Sequence, residues 1–366
     1  MIRIKRITPI GVHLPLKEPI KRSKGELRVS ENLLVRVEAG DFLGWGEAGS
    51  AATMTGELLP GMSNVVSYLG PLLEGLALED IAQAMSTMEQ HLYGNYGAKA
   101  AIEMALYDAL GKSLGKPVHA LLGEQRRERV PALRYIASGD AAKDSADSAK
   151  LTREGYVAFK IKMGAATLAQ DIERTRRVCG AIGSGALISA DVNQGWNAEQ
   201  AIEYVRAVAD TSLAFLEQPV AADDLTAMAQ VVAASRIEIG CDEGLRHMND
   251  LKRHHAARAA HGASLKAMKL GGMTSVRDTA LLCETLGMKV NLSCKIAESG
   301  IGTAAVLQLA AAVPSLDWGV SLTSQYLAED VLMRPLAFEA GHVRIPSGAG
   351  LGIEVDEARV RRFSIS

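Results

Sequence analysis

Two hydrophobic patterns divide the chain at about residue 125. Before that point, apolar and polar residues alternate in "IRIKRITPIGVHLPL" and "NLLVRVEAGDFLGWGEA", which predicts antiparallel strands. Gly40 and Asp41 interrupt the second run and predict a tight turn. Apolar residues then recur at helical spacing in "AKAAIEMALYDALGKSLG". Residues 1–125 are therefore expected to form an α+β domain.

From about residue 129, short apolar runs alternate with amphipathic stretches at steps of about 25 to 30 residues. Eight runs are typical of strands: "VPALRYIA", "YVAFKIKM", "ALISADVN", "LAFLEQP", "IEIGCDE", "GASLKAMKL", "KVNLSC" and "SLDWGVSL". Strands separated by helices in this way predict an α/β fold with a closed parallel barrel rather than a doubly wound sheet.

Polar residues stand at the ends of these runs, and the C-terminal ends of barrel strands build the active site in such folds. In chain order they are Lys160, Lys162, Asp191, Asn193, Glu217, Asp242, Glu243, Lys266, Lys269 and Glu298. A single acidic or basic strand end is usually a solvated edge or a helix cap. From Lys162 to Lys266, however, Lys, Asp, Glu, Asp and Lys follow at intervals of 29, 26, 25 and 24 residues, one β/α unit per step. This order predicts a common site.

Asp191, Glu217 and Asp242, on three successive strands, predict a metal site. Three hard oxygen donors leave positions for water and substrate, which suits Mg²⁺ or Mn²⁺, and no Cys/His pairing typical of a zinc site accompanies them. A metal flanked by lysines is suited to removing a proton next to a carboxylate, because the cation stabilises the resulting enediolate. Lys160 is expected to repel Lys162 and lower its pKa, so that Lys162 can act as the base.

The motifs "KIK", "DVN", "EQP", "CDE" and "LKAMKLGG", in this order, resemble the enolase superfamily, specifically its muconate lactonizing enzyme subgroup. "YGAKAAIEMALYDALGKSLGKPVHALLG", "ESGIGTAA" and "PSGAGLGIEVDEARVRRF" are also similar to segments of that subgroup, so the resemblance covers nearly the whole chain. It implies a modified TIM barrel of the (β/α)7β type with an α+β capping domain. The implied division is residues 1–125 for the capping domain, 126–335 for the barrel, and 336–366 for a segment that returns to the capping domain.

The resemblance also implies a role for each strand-end residue. Asp191, Glu217 and Asp242 would bind Mg²⁺ or Mn²⁺, and Lys162 and Lys266 would be acid/base residues on opposite faces of the substrate. Lys160 and Glu243 would tune these catalytic neighbours. Asn193, Lys295 and Glu298 are predicted to contact the substrate.

Lys295 departs from the resemblance, which leads us to expect a small or apolar residue before Glu298. It could neutralise Glu298, point outward between helices, or bind a distal carboxylate of the substrate. The sequence leaves these three alternatives open.

The implied activity is that of a divalent-metal-dependent isomerase, which acts on a small carboxylate through an enolate intermediate and is most like a muconate cycloisomerase. The alternatives are an N-acylamino acid racemase, an o-succinylbenzoate synthase, a dipeptide epimerase, or a non-catalytic binding protein derived from the same barrel. Dipeptide epimerases commonly carry Asp-x-Asp after strand eight, whereas Asp317 has no second acid two residues on. A basic first loop with Lys17, Lys21, Arg22 and Lys24 favours a dicarboxylate such as a muconate.

Composition and charge reduce the classes of binding partner that we expect for this protein. A net charge of −2 gives no basic footprint for nucleic acid, and no apolar run approaches the roughly 18 residues of a membrane span. No GxGxxG loop indicates a dinucleotide. Four scattered cysteines without a CxxC pair are typical of a reducing compartment. We therefore expect a cytoplasmic homo-oligomer that binds a small-molecule carboxylate, but neither nucleic acid nor membrane.

Overall fold

The fold contains an eight-stranded parallel sheet and a separate three-stranded antiparallel sheet, in a computed structural model that describes residues 1–22 and 25–365. The antiparallel sheet has the order β1 (Ile4–Arg22), β2 (Gly25–Ala39), β3 (Phe42–Gly49). Gly40, with φ of 57°, and Asp41 make the turn between β2 and β3, as predicted.

The basic segment predicted to be a loop is instead the distal end of the β1–β2 hairpin. Ile20 pairs with Leu27 beyond a register shift that follows Pro15. Leu27 and Val29 stand at alternate positions of β2, so the segment keeps a strand pattern that its charges concealed. Lys24 lies outside the described residues, as do the side chains of Lys21 and Arg22.

Four helices of the N-terminal region follow this sheet: α1 (Leu59–Leu73), α2 (Ile81–His91), α3 (Tyr96–Leu114) and α4 (His119–Leu122). The predicted helix α3 is buried along most of its length against β3. Glycine is required at the crossing, because a Cβ on Gly46 would lie 1.9 Å from the Ala101 carbonyl oxygen. The small side chains of the helix sequence thus allow its backbone to approach the strand.

Each of the eight predicted runs contributes one strand of the parallel sheet. The strands are β5 (Arg134–Ile136), β6 (Ala158–Lys162), β7 (Leu187–Asp191), β8 (Leu213–Glu217), β9 (Glu238–Cys241), β10 (Gly262–Leu265), β11 (Lys289–Ser293) and β12 (Val320–Ser321). They are neighbours in chain order, and the Leu133 N–H donates to the Val320 carbonyl at 3.0 Å to close the barrel.

Helices cover the outside of the barrel. They are α5 (Ala141–Arg153), α6 (Leu168–Ile182), α7 (Ala198–Ala207), α8 (Leu225–Ala234), α9 (Met248–Ala256), α10 (Ala267–Leu270), α11 (Met273–Leu286) and α12 (Gly300–Ala312). The sixth run was predicted as one strand carrying both Lys266 and Lys269. Its strand ends at Leu265, and Lys269 lies in the short helix α10. Among the described residues, no helix combines the length and apolarity needed to cross a bilayer.

The barrel interior is filled below the strand ends by two stacked aromatic rings. Phe215 lies on the same face of β8 as Glu217, two residues earlier, and its ring stacks on Trp318 with centroids 4.1 Å apart. Gly262 leaves the space for Trp318, since a Cβ there would lie 2.6 Å from the indole ring.

The C-terminal part of the chain contacts both the barrel and the N-terminal region. Strand β13 (His342–Arg344) pairs with β4 (Arg129–Pro131) at the start of the barrel segment. The Leu351 N–H donates to the Asp108 carboxylate on α3 at 2.8 Å, and Ser364, beyond α13 (Glu357–Phe363), bridges to Val12 on β1. The final segment therefore contacts the N-terminal region, and the division at residues 125 and 335 stays a prediction.

Two buried carboxyl groups stand between the capping domain and the barrel. Glu47 on β3 accepts hydrogen bonds from the N–H and hydroxyl of Ser299 and from the Gly302 N–H, at 2.6 to 2.8 Å. Burial, together with the nearby Glu298, raises the pKa of Glu47 to about 8. Burial likewise raises the pKa of Glu298 to about 7, against the opposing charge of Lys295.

These groups predict that the folded protein loses stability as the pH rises. Between pH 4.5 and about 8 the folded state holds a proton on Glu47 that the unfolded chain releases, so stability present at low pH is lost through this window. Glu47→Gln cannot release that proton, and we expect a flatter pH dependence of the unfolding free energy. The wild-type excess slope is at most about 1.4 kcal/mol per pH unit.

Urea denaturation between about pH 6 and pH 9 measures this slope. The exposed Glu124→Gln, which makes the same chemical change at the surface, should retain the wild-type slope. Equal slopes for wild type and Glu47→Gln would contradict the raised pKa of Glu47.

Candidate active site

A cavity of about 310 Å³ lies at the C-terminal ends of the barrel strands. Charged residues that end β6 to β10 form one part of its wall. Leu27 and Val29 of the β1–β2 hairpin and Met54, which follows β3, form an apolar part. The capping domain therefore contributes shape to the cavity, and the barrel contributes charge.

Strand register places the predicted residues side by side. Lys162 is opposite Asp191 in the β6–β7 pairing, and Asp191 is opposite Glu217 in the β7–β8 pairing. Asp242 directly follows β9, and Lys266 directly follows β10. A parallel barrel with aligned strand ends thus brings together residues from five β/α units, as the chain spacing predicted.

Each of the three predicted ligands is deeply buried and accepts a hydrogen bond from lysine. Lys160 binds Glu217, and Lys162 Nζ lies 2.5 Å from Asp191 Oδ2. Lys266 Nζ lies 2.5 Å from Asp242 Oδ2, and Lys269 Nζ lies 2.6 Å from Asp242 Oδ1. The site is a row of buried ion pairs, in which each charge depends on its neighbour because neither is solvated.

The carboxylates interact with one another as well as with the lysines. Burial raises the pKa of Glu217, Asp191 and Asp242 raise it further, and Lys160 opposes them. For Asp242, burial also favours the neutral form, but Lys266 and Lys269 outweigh it and hold its pKa far below the usual range.

The prediction that Lys160 lowers the pKa of Lys162 is wrong when the charges of the protein alone are considered. Burial lowers it, but Asp191 and Glu217 outweigh burial and the pKa is raised. The reason is that Lys160 pairs with Glu217, while Lys162 faces Asp191. The pKa of Lys266 is raised in the same way, mainly by Asp242 against the effect of burial.

The donor atoms of the site are of the kind that suits a hard divalent cation. Three carboxylates end adjacent strands, and the buried Glu243 Oε2 has no hydrogen-bond partner in the structure. In residues 1–22 and 25–365, however, no three acidic, His or Cys side chains converge closely enough to hold a metal ion, and the paired lysine ammonium groups stand beside them. Asp191, Glu217 and Asp242 therefore share one site without forming one cluster.

Asn193 connects Lys162 to Glu243 by hydrogen bonds. Asn193 Oδ1 accepts from Lys162 Nζ at 3.2 Å, and its Nδ2 donates to Glu243 Oε1 at 3.0 Å. Asn193 adopts a left-handed φ of 48°, which points to a constrained position. Burial, with Asp242 and Asp191 adding to it, raises the pKa of Glu243 to about 7.

Lys295 and Glu298, both predicted to contact substrate, have different surroundings. Lys295 lines the cavity, and its Nζ lies 3.4 Å from the Ser30 hydroxyl. Glu298 lies behind it, outside the cavity wall, where its carboxylate accepts from the Gly49 and Lys295 N–H groups. We interpret Glu298 as a residue that holds the loop after β11 in place, rather than as a substrate contact.

Sequence reasoning missed Gln218 and gave Lys269 no role, and both residues position Asp242. Gln218 accepts from the Asp242 N–H at 2.9 Å and from the Gly244 N–H at 3.1 Å, and has a left-handed φ of 35°. Lys269 holds the Asp242 carboxylate from α10. The available signals were the Gln that follows Glu217 and the second lysine at helical spacing from Lys266.

Models of known protein families match both the N-terminal region and the barrel of this chain. Residues 6–123 match the mandelate racemase / muconate lactonizing enzyme N-terminal domain, and residues 143–359 match the enolase C-terminal domain-like family. The chain belongs to the enolase superfamily, in its muconate lactonizing enzyme subgroup. Enzymes of this subgroup depend on a divalent cation.

Relatives within this subgroup are similar over their full length. The chain is 32% identical to muconate cycloisomerase 1 of Pseudomonas putida and 31% identical to chloromuconate cycloisomerase CbnB of Cupriavidus necator, with 99% of each chain covered. The muconate lactonizing enzyme of Pseudomonas fluorescens, solved with muconolactone, superposes with a TM-score of 0.95 at 31% identity, again over 99% of both chains. N-succinyl Arg/Lys racemase of Bacillus cereus superposes with a TM-score of 0.94 at 27% identity, covering 100% of this chain and 98% of its own.

Replacing Glu217 with Gln tests its assignment as a ligand. The change removes a proposed oxygen donor and leaves the Lys160 ammonium, 2% exposed, without its carboxylate. We expect at least about tenfold weaker Mn²⁺ binding and a stability loss of roughly 3 kcal/mol. The double variant Lys160→Met/Glu217→Gln removes the ion pair as a unit, so it should recover stability but not Mn²⁺ affinity.

Electron paramagnetic resonance of free Mn²⁺ gives the affinity, and urea denaturation gives the stability. Glu124→Gln is the matched surface control. Wild-type Mn²⁺ affinity in both Glu217 variants would remove Glu217 from the ligand set.

Proposed function

We propose that this isomerase acts on a small carboxylate through an enolate intermediate, with Mg²⁺ or Mn²⁺, in a reaction like that of muconate cycloisomerases. The arrangement of two lysines around three carboxylates carries this proposal. Strands β6 and β10 are four positions apart in the eight-stranded order, so Lys162 and Lys266 stand on opposite sides of the barrel axis. The carboxylates of β7, β8 and the β9 end lie between them.

Asp191, Glu217 and Asp242 would hold the cation, which supplies stabilisation of negative charge that develops on the substrate carboxylate. Lys162 is oriented by Asp191 and Asn193, and Lys266 by Asp242. As a neutral amine, either lysine is placed to take the α-proton from one face of the substrate. Apolar residues of the capping domain would exclude water from the reacting carbon, since Leu27, Val29 and Met54 line the cavity.

An N-succinylamino acid racemase is the second candidate. The Bacillus cereus racemase superposes as well as the cycloisomerases do, and a racemase needs a lysine on each face of the substrate. A cycloisomerase needs proton transfer by one lysine, with the other stabilising charge.

Two further features belong to the proposal. We propose a cytoplasmic location, which the four buried free thiols support. A homo-oligomeric state is retained from the sequence as a prediction.

Turnover of candidate substrates separates the two activities. The Mn²⁺-loaded protein is expected to convert muconates to lactones, and the measurement is loss of the diene absorbance. N-succinylamino acids and dipeptides are followed in parallel by α-proton exchange in D₂O. Exchange of N-succinylamino acids without muconate turnover would assign the racemase, and turnover of dipeptides alone would overturn both candidates.

Substitution of each lysine assigns its role. In a racemase, Lys266→Ala should stop exchange from one enantiomer and Lys162→Ala from the other, because each base reaches one face. In a cycloisomerase, one substitution should abolish proton transfer and the other should lower kcat through lost charge stabilisation. Lys252→Ala, at an exposed position on α9, is the control. Full activity in both active-site variants would remove lysine as the base.

A further inference from the structure

Lys295 approaches the cavity from the side of the barrel away from β7 and β8. It follows β11 by two residues, and β11 stands four positions from β7 and three from β8 in the strand order. The cavity therefore has Asp191 and Glu217 on one wall and Lys295 on another.

The capping domain is shaped to receive the Lys295 side chain. A Cβ on Gly49 would lie 2.4 Å from Lys295 Cδ and 3.0 Å from Nζ, so a larger residue at the end of β3 would displace the lysine. The fully buried Ser30 hydroxyl lies 3.4 Å from Nζ and donates to Asn32 Oδ1 at 3.0 Å.

The backbone around Lys295 is fixed from both domains. Its N–H donates to Glu298 Oε2 at 3.1 Å, and its carbonyl accepts from the Thr323 hydroxyl at 2.7 Å. Asn32 of β2 donates to the Ala297 carbonyl at 3.0 Å, where Ala297 has a left-handed φ of 62°. These bonds hold a strained loop in one conformation, and so hold the lysine at the cavity wall.

The charges on the two walls differ in kind. On the wall at β6 to β10, each lysine faces a carboxylate of the site at hydrogen-bonding distance. On the opposite wall, Lys295 contributes a positive charge, which opposes the effect of burial on the pKa of Glu298.

We propose that Lys295 binds a second anionic group of the substrate, opposite the carboxylate that reacts, and so selects dicarboxylates over monocarboxylates. The inference rests on the proposed function for the position of the reacting carboxylate. An ammonium–carboxylate hydrogen bond in a buried site is strong and charge-selective, which is the chemistry that distinguishes the two substrate classes. Glu298 and Thr323 are positioning residues for this contact.

Binding of unreactive probes tests the proposal without turnover. Adipate and its monomethyl ester have the same chain but differ in one charge, and calorimetry with the Mn²⁺-loaded protein gives the Kd of each. We expect wild type to prefer adipate by at least about tenfold. Lys295→Met keeps the aliphatic length along Gly49 but removes the ammonium, and should bring the two Kd values together by weakening adipate alone.

Two further variants guard against a merely structural effect. Gly49→Ala keeps Lys295 in the chain but places a methyl group in its path, and should also reduce the preference for adipate. Lys289→Met, on the same strand at the opposite end of the barrel, should retain it. Thermal unfolding with Mn²⁺ confirms that each variant is folded.

Different experimental outcomes would contradict the proposed subsite and the proposed reaction. Equal affinity of wild type for the two probes, or an undiminished preference in folded Lys295→Met, would overturn the subsite even if muconates are turned over. A preference for adipate that depends on Lys295 supports the subsite even if no muconate or N-succinylamino acid reacts, in which case the proposed reaction is wrong.

Discussion

The pairing of buried lysines with buried carboxylates is the constraint on which the site depends. Lys160, Lys269, Glu217 and Asp242 are almost wholly removed from solvent. An isolated charge at that depth would cost several kcal/mol, so each residue requires its partner for folding. Gln218 and Asn193 complete the arrangement by fixing the backbone and amide groups between the strand ends.

The strand-end residues could be predicted from the sequence because a parallel barrel converts chain order into spatial order. One run per β/α unit, each ending in a polar residue, was enough to place Asp191, Glu217 and Asp242 on adjacent strands. The pairing of Lys160 with Glu217 could not be predicted in this way, because it depends on which way two neighbouring side chains turn in three dimensions.

Other differences have local causes. The distal hairpin carries many charges, and its strand pattern rests on the alternating Leu27 and Val29, so composition indicated a loop. In "GASLKAMKL" the apolar spacing fits either a strand or a helical turn. Helix α10 ends at Gly271, which caps it in the left-handed conformation. Lys295 was ambiguous because its contacts with Ser30 and Gly49 join distant parts of the chain.

The stacked Phe215 and Trp318 rings affect how protons can pass between the site and solvent. They fill the barrel directly beneath the layer that holds Glu217, on the same face of β8. A proton removed from the substrate thus has an aromatic floor below it, and the apolar side chains of Leu27, Val29 and Met54 line the cavity on the other side. Solvent hydrogen therefore reaches Lys162 and Lys266 from the cavity side and not through the interior of the barrel.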